Sequence, residues 1–417
     1  MRGRAVSPGR AARRLSWLAL LGVVGPGLLA GLSDDDPAGI TTYSVLGARY
    51  GYQLLWVLLL ATVALILFHD LGARMGVVTG QGLIGLIRQR FGVRLAAVAL
   101  VALVIANVGT TCAEFAGVAA GFELFGVSKY LSVPLAAVGV SLLVLRGSFH
   151  RVEHVFLALC SVFAAYVVAG VLAHPDWGAV AHGLVVPTMQ VDKATILLVT
   201  ATVGTTLAPW GLSFIQSYAV DKRLTIRDLR YERVDVITGA VLTGVIGLFV
   251  VIACAATLHV QHVTIDSAAD AAKALEPLAG HLASGLFAVG LIGAALLAAS
   301  ILPLSTAYSV SEFVGAESAL DASFDEARTF YVAFAVVTVL SASVVLIPGA
   351  PLIRILVLTQ ALNAVLLLPI LAFMQRIARD RDLMGDYVAG RWASGAYVVA
   401  IGCIGLCVGA LLFLQFT

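Results

Sequence analysis

Charge is scarce in this chain. Only 12% of its 417 residues are Asp, Glu, Lys or Arg, where a soluble domain carries roughly 25%. With 60% hydrophobic residues and a mean hydropathy of +0.99, the shortage excludes a soluble globular protein and indicates an all-α integral membrane protein. The net charge of +2 offers no basic excess for nucleic acid. No glycine loop of the phosphate-cradling kind is present, which argues against nucleotide-driven transport by this chain and against any enzymatic use of nucleotides. Cysteine is rare and never paired as CxxC: Cys112, Cys160, Cys254, Cys403 and Cys407 all sit in apolar runs and are expected to be packing residues. Methionine is equally sparse, and Met75, Met189, Met374 and Met384 lie at span ends or in loops.

Long apolar runs are abundant. Stretches able to cross a bilayer fall near 15–47, 52–73, 94–124, 130–146, 152–173, 194–220, 235–258, 281–303, 329–348, 351–377 and 394–416. The run 15–32 after an Arg-rich start has the outline of a signal peptide, but it continues into an acidic break and precedes ten more spans, so a retained first helix is expected. Lys and Arg set the orientation: 21 of the 26 fall in alternate connections on one side and 5 on the other. That bias predicts a multi-pass protein of the cell membrane with its N-terminus in the cytoplasm and its C-terminus outside.

Two spans are interrupted. The first reads Ser33-Asp34-Asp35-Asp36-Pro37-Ala38-Gly39-Ile40. A charge near mid-span costs at least ~2.5–3.5 kcal/mol on insertion scales, and Pro37 with Gly39 suits an unwound backbone. The sixth span is interrupted at Thr205-Thr206-Leu207-Ala208-Pro209-Trp210-Gly211. If spans 1–5 and 6–10 are repeats, the breaks correspond, and the odd number of spans per repeat inverts the second. Paired broken helices point to a transport site at the bilayer midplane. The expected organisation is a tail over 1–14, a first repeat over 15–175, an inverted second over 190–378, and an eleventh span over 394–416.

The polar residues inside the spans define the expected site. Asp36 supplies charge, and carbonyls freed near Ala208 face it; Asp34 and Asp35 cannot all point the same way and one or both are expected in an outer vestibule that attracts cations. Span three carries Asn107, Thr110, Thr111 and Glu114 on one helix face. Glu114 is either a proton carrier or a hydrogen-bonding post. Gln360 and Asn363, one turn apart in span ten, either line the cavity, where amide oxygens suit hard cations, or bond neighbouring helices. His69-Asp70, Glu153 and Asp235 read as interfacial residues at span ends. Residues 312–328, with Glu312, Glu317, Asp321, Asp325 and Glu326, read as a solvated acidic segment.

Gly25-Pro26-Gly27, Asp36-Pro37-Ala38-Gly39-Ile40, Gly51-Tyr52-Gln53-Leu54-Leu55-Trp56-Val57 and Leu71-Gly72-Ala73-Arg74-Met75-Gly76-Val77-Val78-Thr79-Gly80 together resemble the opening of the Nramp divalent-metal transporters. Thr359-Gln360 and Leu383-Met384-Gly385 fit as well. The likeness runs through spans one to ten, is most specific in the first 80 residues, and is weak in spans seven to nine. It implies a LeuT-type inverted-repeat fold, alternating access, and a divalent-metal site between the broken helices. The residues carried over are Asp36, Gly39, Ala208 and Gln360, with Asp34, Asp35, Thr111, Glu114, Asn363 and Trp210 along a polar path. No resident cofactor is implied. The expected partners are the bilayer and the transported ion, with a monomer or weak oligomer as the assembly.

The departures from the family pattern bear on the cargo. The family's Asp-Pro-Gly-Asn is Asp36-Pro37-Ala38-Gly39 here, its Met-Pro-His is Ala208-Pro209-Trp210, and its span-three aspartate is Thr111. Loss of the soft thioether and of one amide predicts an all-oxygen pocket, widened at Gly39, for a partly hydrated ion such as Mg2+, with Mn2+ also carried. In this the chain resembles the Nramp-related magnesium-transporter branch. Loss of the aspartate and histidine predicts weak or absent proton coupling. A conventional proton-coupled Mn2+ or Fe2+ symporter is the alternative, and it needs a soft or nitrogen ligand near the breaks that the sequence does not reveal. A sodium-coupled amino-acid transporter would have to bring its substrate carboxylate against three aspartates. A non-transporting sensor or scaffold is a further alternative, and nothing in the sequence resembles an appended signalling domain.

Overall fold

The computed structural model describes residues 26–145, 162, 165–265, 268–276, 280–318, 322–349 and 352–416. The N-terminal tail, the start of the first span, most of the fifth span, Cys160, Glu153 and the basic pair Arg146 and Arg151 lie outside the described residues.

The described chain is helical. In order, it forms α1 (Pro26–Asp34), α2 (Pro37–Tyr50), α3 (Leu55–Thr79), α4 (Leu83–Phe91), α5 (Val93–Glu123), α6 (Lys129–Leu145), α7 (Ala165–Leu172), α8 (Trp177–Val185), α9 (Lys193–Thr206), α10 (Pro209–Asp221), α11 (Leu229–Cys254), α12 (Ala283–Val314), α13 (Arg328–Val345), α14 (Leu352–Ala378) and α15 (Arg391–Phe416). Eight stretches among the described residues are long and apolar enough to cross a bilayer, with Lys193–Asp221 counted as one. The difference from the eleven expected has a plain cause. The α1–α2 pair is split into 9 and 14 residues, α6 has 17, and α7 borders undescribed chain.

Small residues set the packing. Helix α5 makes its most extensive contact with α12. Along that seam Ala113, Ala116 and Ala120 of α5 and Ala294, Ala295 and Ala298 of α12 are buried, so the backbones approach closely without large side chains between them. Helix α11 supports the first broken helix. Gly239 lies against the Gly27 carbonyl and Gly31 against Gly239, Asp235 accepts from the Gly27 N–H at 2.7 Å, and Thr243 donates to the Gly31 carbonyl. Asp235 therefore caps α1, where sequence had suggested an interfacial ion pair. Helix α15 faces outward: Trp392, Val399, Leu406 and Phe413 recur every seven residues and are 94, 66, 76 and 67% exposed. In a bilayer such a stripe meets lipid.

Two local features depart from the sequence reading. An amphipathic helix, α4, follows α3 after a left-handed glycine cap at Gly80. Glu312 is not in a solvated loop. It sits in the last turn of α12, accepts from the Ile84 N–H at 3.1 Å and from the Ser217 hydroxyl at 2.5 Å, and so ties α4 to α10.

Candidate cation site between the two broken helices

The first break is a bend at Asp35 and Asp36. Asp36 is extended (φ −77°, ψ 170°) and caps α2, its carboxylate accepting the Gly39 N–H at 2.5 Å. Pro37 occupies the first helical position, where a missing N–H costs nothing. Asp34, Asp35 and Asp36 are 2, 1 and 4% exposed. The carboxyl oxygens of Asp34 and Asp35 have no protein partner. This corrects the expectation of an outer vestibule for these two: both are enclosed. Buried charge with no partner is costly, so each of these carboxyls is protonated or meets a cation.

The second break is neutral. Ala208 is extended (φ −83°, ψ 142°), 2% exposed, and no side chain caps α10. Each break has a proline four residues beyond a carbonyl: Pro37 after Ser33, Pro209 after Thr205. A proline has no N–H, so each of these carbonyls loses its helical donor. The breaks are linked by a 2.9 Å hydrogen bond between the Tyr43 and Thr206 hydroxyls.

Oxygens converge at Gly39. A Cβ placed there would lie 2.8 Å from the Asp34 carbonyl, 3.2 Å from Asp36 Oδ1 and 3.3 Å from Thr205 Oγ1. The missing side chain therefore does not widen the cavity as expected. It lets oxygen atoms from both breaks close around one point. Thr205, quoted from sequence only as part of an interruption, is buried with its hydroxyl unpartnered.

The stripe on α5 divides into two roles. Glu114, fully buried, interacts with the Asp36 carboxyl, and neither of its oxygens has a hydrogen-bond partner. Two carboxylates can share such a contact only through a proton or a cation. The rest is structural bonding: Asn107 donates to Thr306 at 2.9 Å, Thr111 to the Asn107 carbonyl at 2.7 Å, and Thr110 accepts from Asn363 at 2.8 Å. Asn363 also donates to Gln360 Oε1 at 2.9 Å. Gln360 thus spends its amide oxygen on Asn363, while its carbonyl packs against Gly204 beside Thr205. Trp210 is buried, its indole N–H unpartnered and its carbonyl accepting from Ser305 at 3.0 Å.

One residue was missed. Asp70 pairs with Arg233 at 2.6 Å in a half-exposed bridge, as expected of a span end. His69 instead faces inward, 0% exposed, with neither ring nitrogen bonded. Its helix position carried the signal. Leu65, Phe68, Gly72 and Met75 share the buried face of α3 with it. On that face the Cβ positions of Gly72 and Gly76 lie against the Leu212 and Gln216 carbonyls of α10. Among the described residues no group of three or more His, Cys, Asp or Glu side chains could hold a metal ion. Any ion here takes backbone, hydroxyl or water oxygens as well, as hard cations do.

Comparison with known proteins shows the family and the fold. The profile of the Natural resistance-associated macrophage protein-like (Nramp) family matches residues 27–414. The chain is 30% identical over 388 residues to the divalent metal cation transporter MntH of Burkholderia ambifaria, covering 90% of this chain and 85% of that one. It is 31% identical over 424 residues to MntH of Acidiphilium cryptum, covering 97% and 93%. Its fold is similar to that of the Eremococcus coleocola manganese transporter, with a TM-score of 0.77 at 19% identity over 98% of this chain and 88% of that one. It is also similar to MhsT in complex with L-phenylalanine, with a TM-score of 0.60 at 14% identity over 94% and 97%. The fold is thus an all-α, multi-spanning one shared with these two structures.

Proposed function

Since the chain belongs to the Nramp-like family of divalent metal cation transporters, and is a secondary transporter rather than an enzyme, we propose that it imports Mn2+ between its two broken helices and that Mg2+ competes for the same passage. The convergence of Asp36, the Asp34 carbonyl and Thr205 around Gly39 carries this reading. A carboxylate, a carbonyl and a hydroxyl, completed by water, form a hard donor set that accepts Mn2+ and Mg2+ alike.

The relatives support the Mn2+ cargo: they are named as divalent metal cation and manganese transporters. The residues of the second break support a second reading, in which Mg2+ is the preferred, partly hydrated ion and proton coupling is weak or absent. Ala208 offers no thioether, Trp210 no imidazole, and Thr111 no carboxylate. The Asp36–Glu114 contact favours coupling, because a proton held between two carboxyls is displaced when a cation arrives. The membrane arrangement we propose is two inverted five-span repeats plus α15, with the N-terminus inside. Its support is the Lys and Arg bias and the matching prolines at the two breaks.

Uptake of micromolar Mn2+ into proteoliposomes, with and without excess Mg2+ and with an internal pH dye, tests both readings. Strong suppression by Mg2+ is expected. Mn2+ uptake indifferent to Mg2+ would refute the shared hard site. Internal acidification in step with metal entry would refute the uncoupled reading and leave the proton-coupled one.

A further inference from the structure

We propose that His69 and Asp34 form a second, nitrogen-containing metal station beside the first turn of α10, separate from the oxygen cluster at Gly39. The inference rests on the proposed passage of divalent metal, and it supplies the nitrogen ligand that the sequence did not reveal near the breaks.

The geometry is local. A Cβ on Gly211 would lie 3.2 Å from His69 Nε2 and 3.9 Å from Asp34 Oδ1, so both atoms border the space that this glycine leaves open. His69 is 0% and Asp34 2% exposed. Both ring nitrogens and both carboxyl oxygens lack partners. Buried polar groups are normally bonded, and a neutral imidazole has one donor and one acceptor to satisfy. Leaving both groups unmet, side by side, is unfavourable unless something enters between them. The elements hold them there: His69 is placed by the glycine seam of α3 on α10, and Asp34 ends α1 just before the bend.

The chemistry selects the occupant. The α10 terminus carries roughly +0.5 charge, and a cation that enters lets Asp34 bind it as a carboxylate, which outweighs that partial charge. An imidazole nitrogen suits Mn2+ and Fe2+ far better than Mg2+. Only two side chains contribute, so solvent or backbone completes the shell and binding is weak. That suits a station an ion passes through. Asp34 ends α1 and Asp36 caps α2 on either side of the first bend, so an ion can move from an unselective oxygen site to a selective nitrogen one. Discrimination against Mg2+ then occurs after entry.

The test is pulsed electron paramagnetic resonance of Mn2+ bound to the full chain in nanodiscs, prepared without a polyhistidine tag. Directly bound imidazole gives a 14N modulation of the spin echo. Wild type is expected to show it, and His69→Gln and Asp34→Asn to lose it. Asp36→Ala is expected to abolish uptake yet keep the modulation, which separates this station from the oxygen site. If His69→Gln misfolds, Gly211→Ala serves instead, placing a methyl in the same space on a helix that tolerates alanine. Bound Mn2+ without 14N modulation in wild type would overturn the station, and so would modulation that survives His69→Gln. Modulation with no metal uptake in proteoliposomes would uphold the station and overturn the transport reading.

Discussion

The two breaks share a backbone design and differ in chemistry. Each has a proline at the start of the second half-helix and an extended residue before it. The first carries three buried carboxyls, one of which caps its own helix. The second carries none, and α10 starts without a side-chain cap. The difference teaches that a paired site need not be symmetric in charge. One half supplies negative charge, and the other supplies carbonyl and hydroxyl oxygens and an open glycine flank.

Removing the charge breaks this division most severely. Asp36→Ala is expected to abolish Mn2+ uptake and Mn2+ binding at the oxygen cluster around Gly39. Asp36→Asn keeps an acceptor for the Gly39 N–H and isolates the charge; calorimetric titration with Mn2+ should lose the tighter binding and keep only the weak binding expected beside His69, and unchanged tight affinity would place the charged ligand elsewhere. Making the neutral break soft comes next. Ala208→Met should raise Mn2+ or Cd2+ over Mg2+ in competition uptake by about tenfold, or ~1.4 kcal/mol; unchanged selectivity would mean that Ala208 does not line the passage.

Packing behind the second break is tested by Gly204→Ala. The new methyl would collide with the Gln360 carbonyl, and a thermal unfolding assay should report a loss of ~1–3 kcal/mol. The smallest effect is expected at the outer end of α9. There, Asp192 accepts from the Thr195 hydroxyl and from the Thr195 and Ala194 N–H groups, which hold its carboxyl below its usual range. A lowered carboxyl contributes stability above its ordinary range and loses it as pH falls through the lowered value. Hydrogen exchange in the first turn of α9 should therefore quicken only in acid, and Asp192→Asn should remove that pH dependence while leaving uptake intact.

Much of the architecture was legible in the sequence because bilayer burial writes itself as composition. Apolar runs had to be helices, since no other open structure satisfies its backbone in hydrocarbon. Asp36, Pro37 and Pro209 marked the breaks because a charge is costly inside a span and a proline leaves a carbonyl without its helical donor. Thr205, Glu312 and His69 were not legible. A hydroxyl in a helix reads as a packing residue until its neighbour across the bundle is known. Glu312 looked solvated because its partners, Ile84 and Ser217, are 228 and 95 residues away. His69 looked interfacial because Asp70, beside it, is.

The sequence by itself determined that this chain spans a membrane, where its helices break, and which break is charged. These follow from local composition and from the missing N–H of proline. Only the tertiary structure decided which oxygens meet at Gly39, that Gln360 spends its amide oxygen on Asn363, and that His69 faces Asp34 across Gly211. Those meetings depend on glycine seams that set helix against helix to within a few tenths of an ångström, and no spacing along one chain encodes that distance.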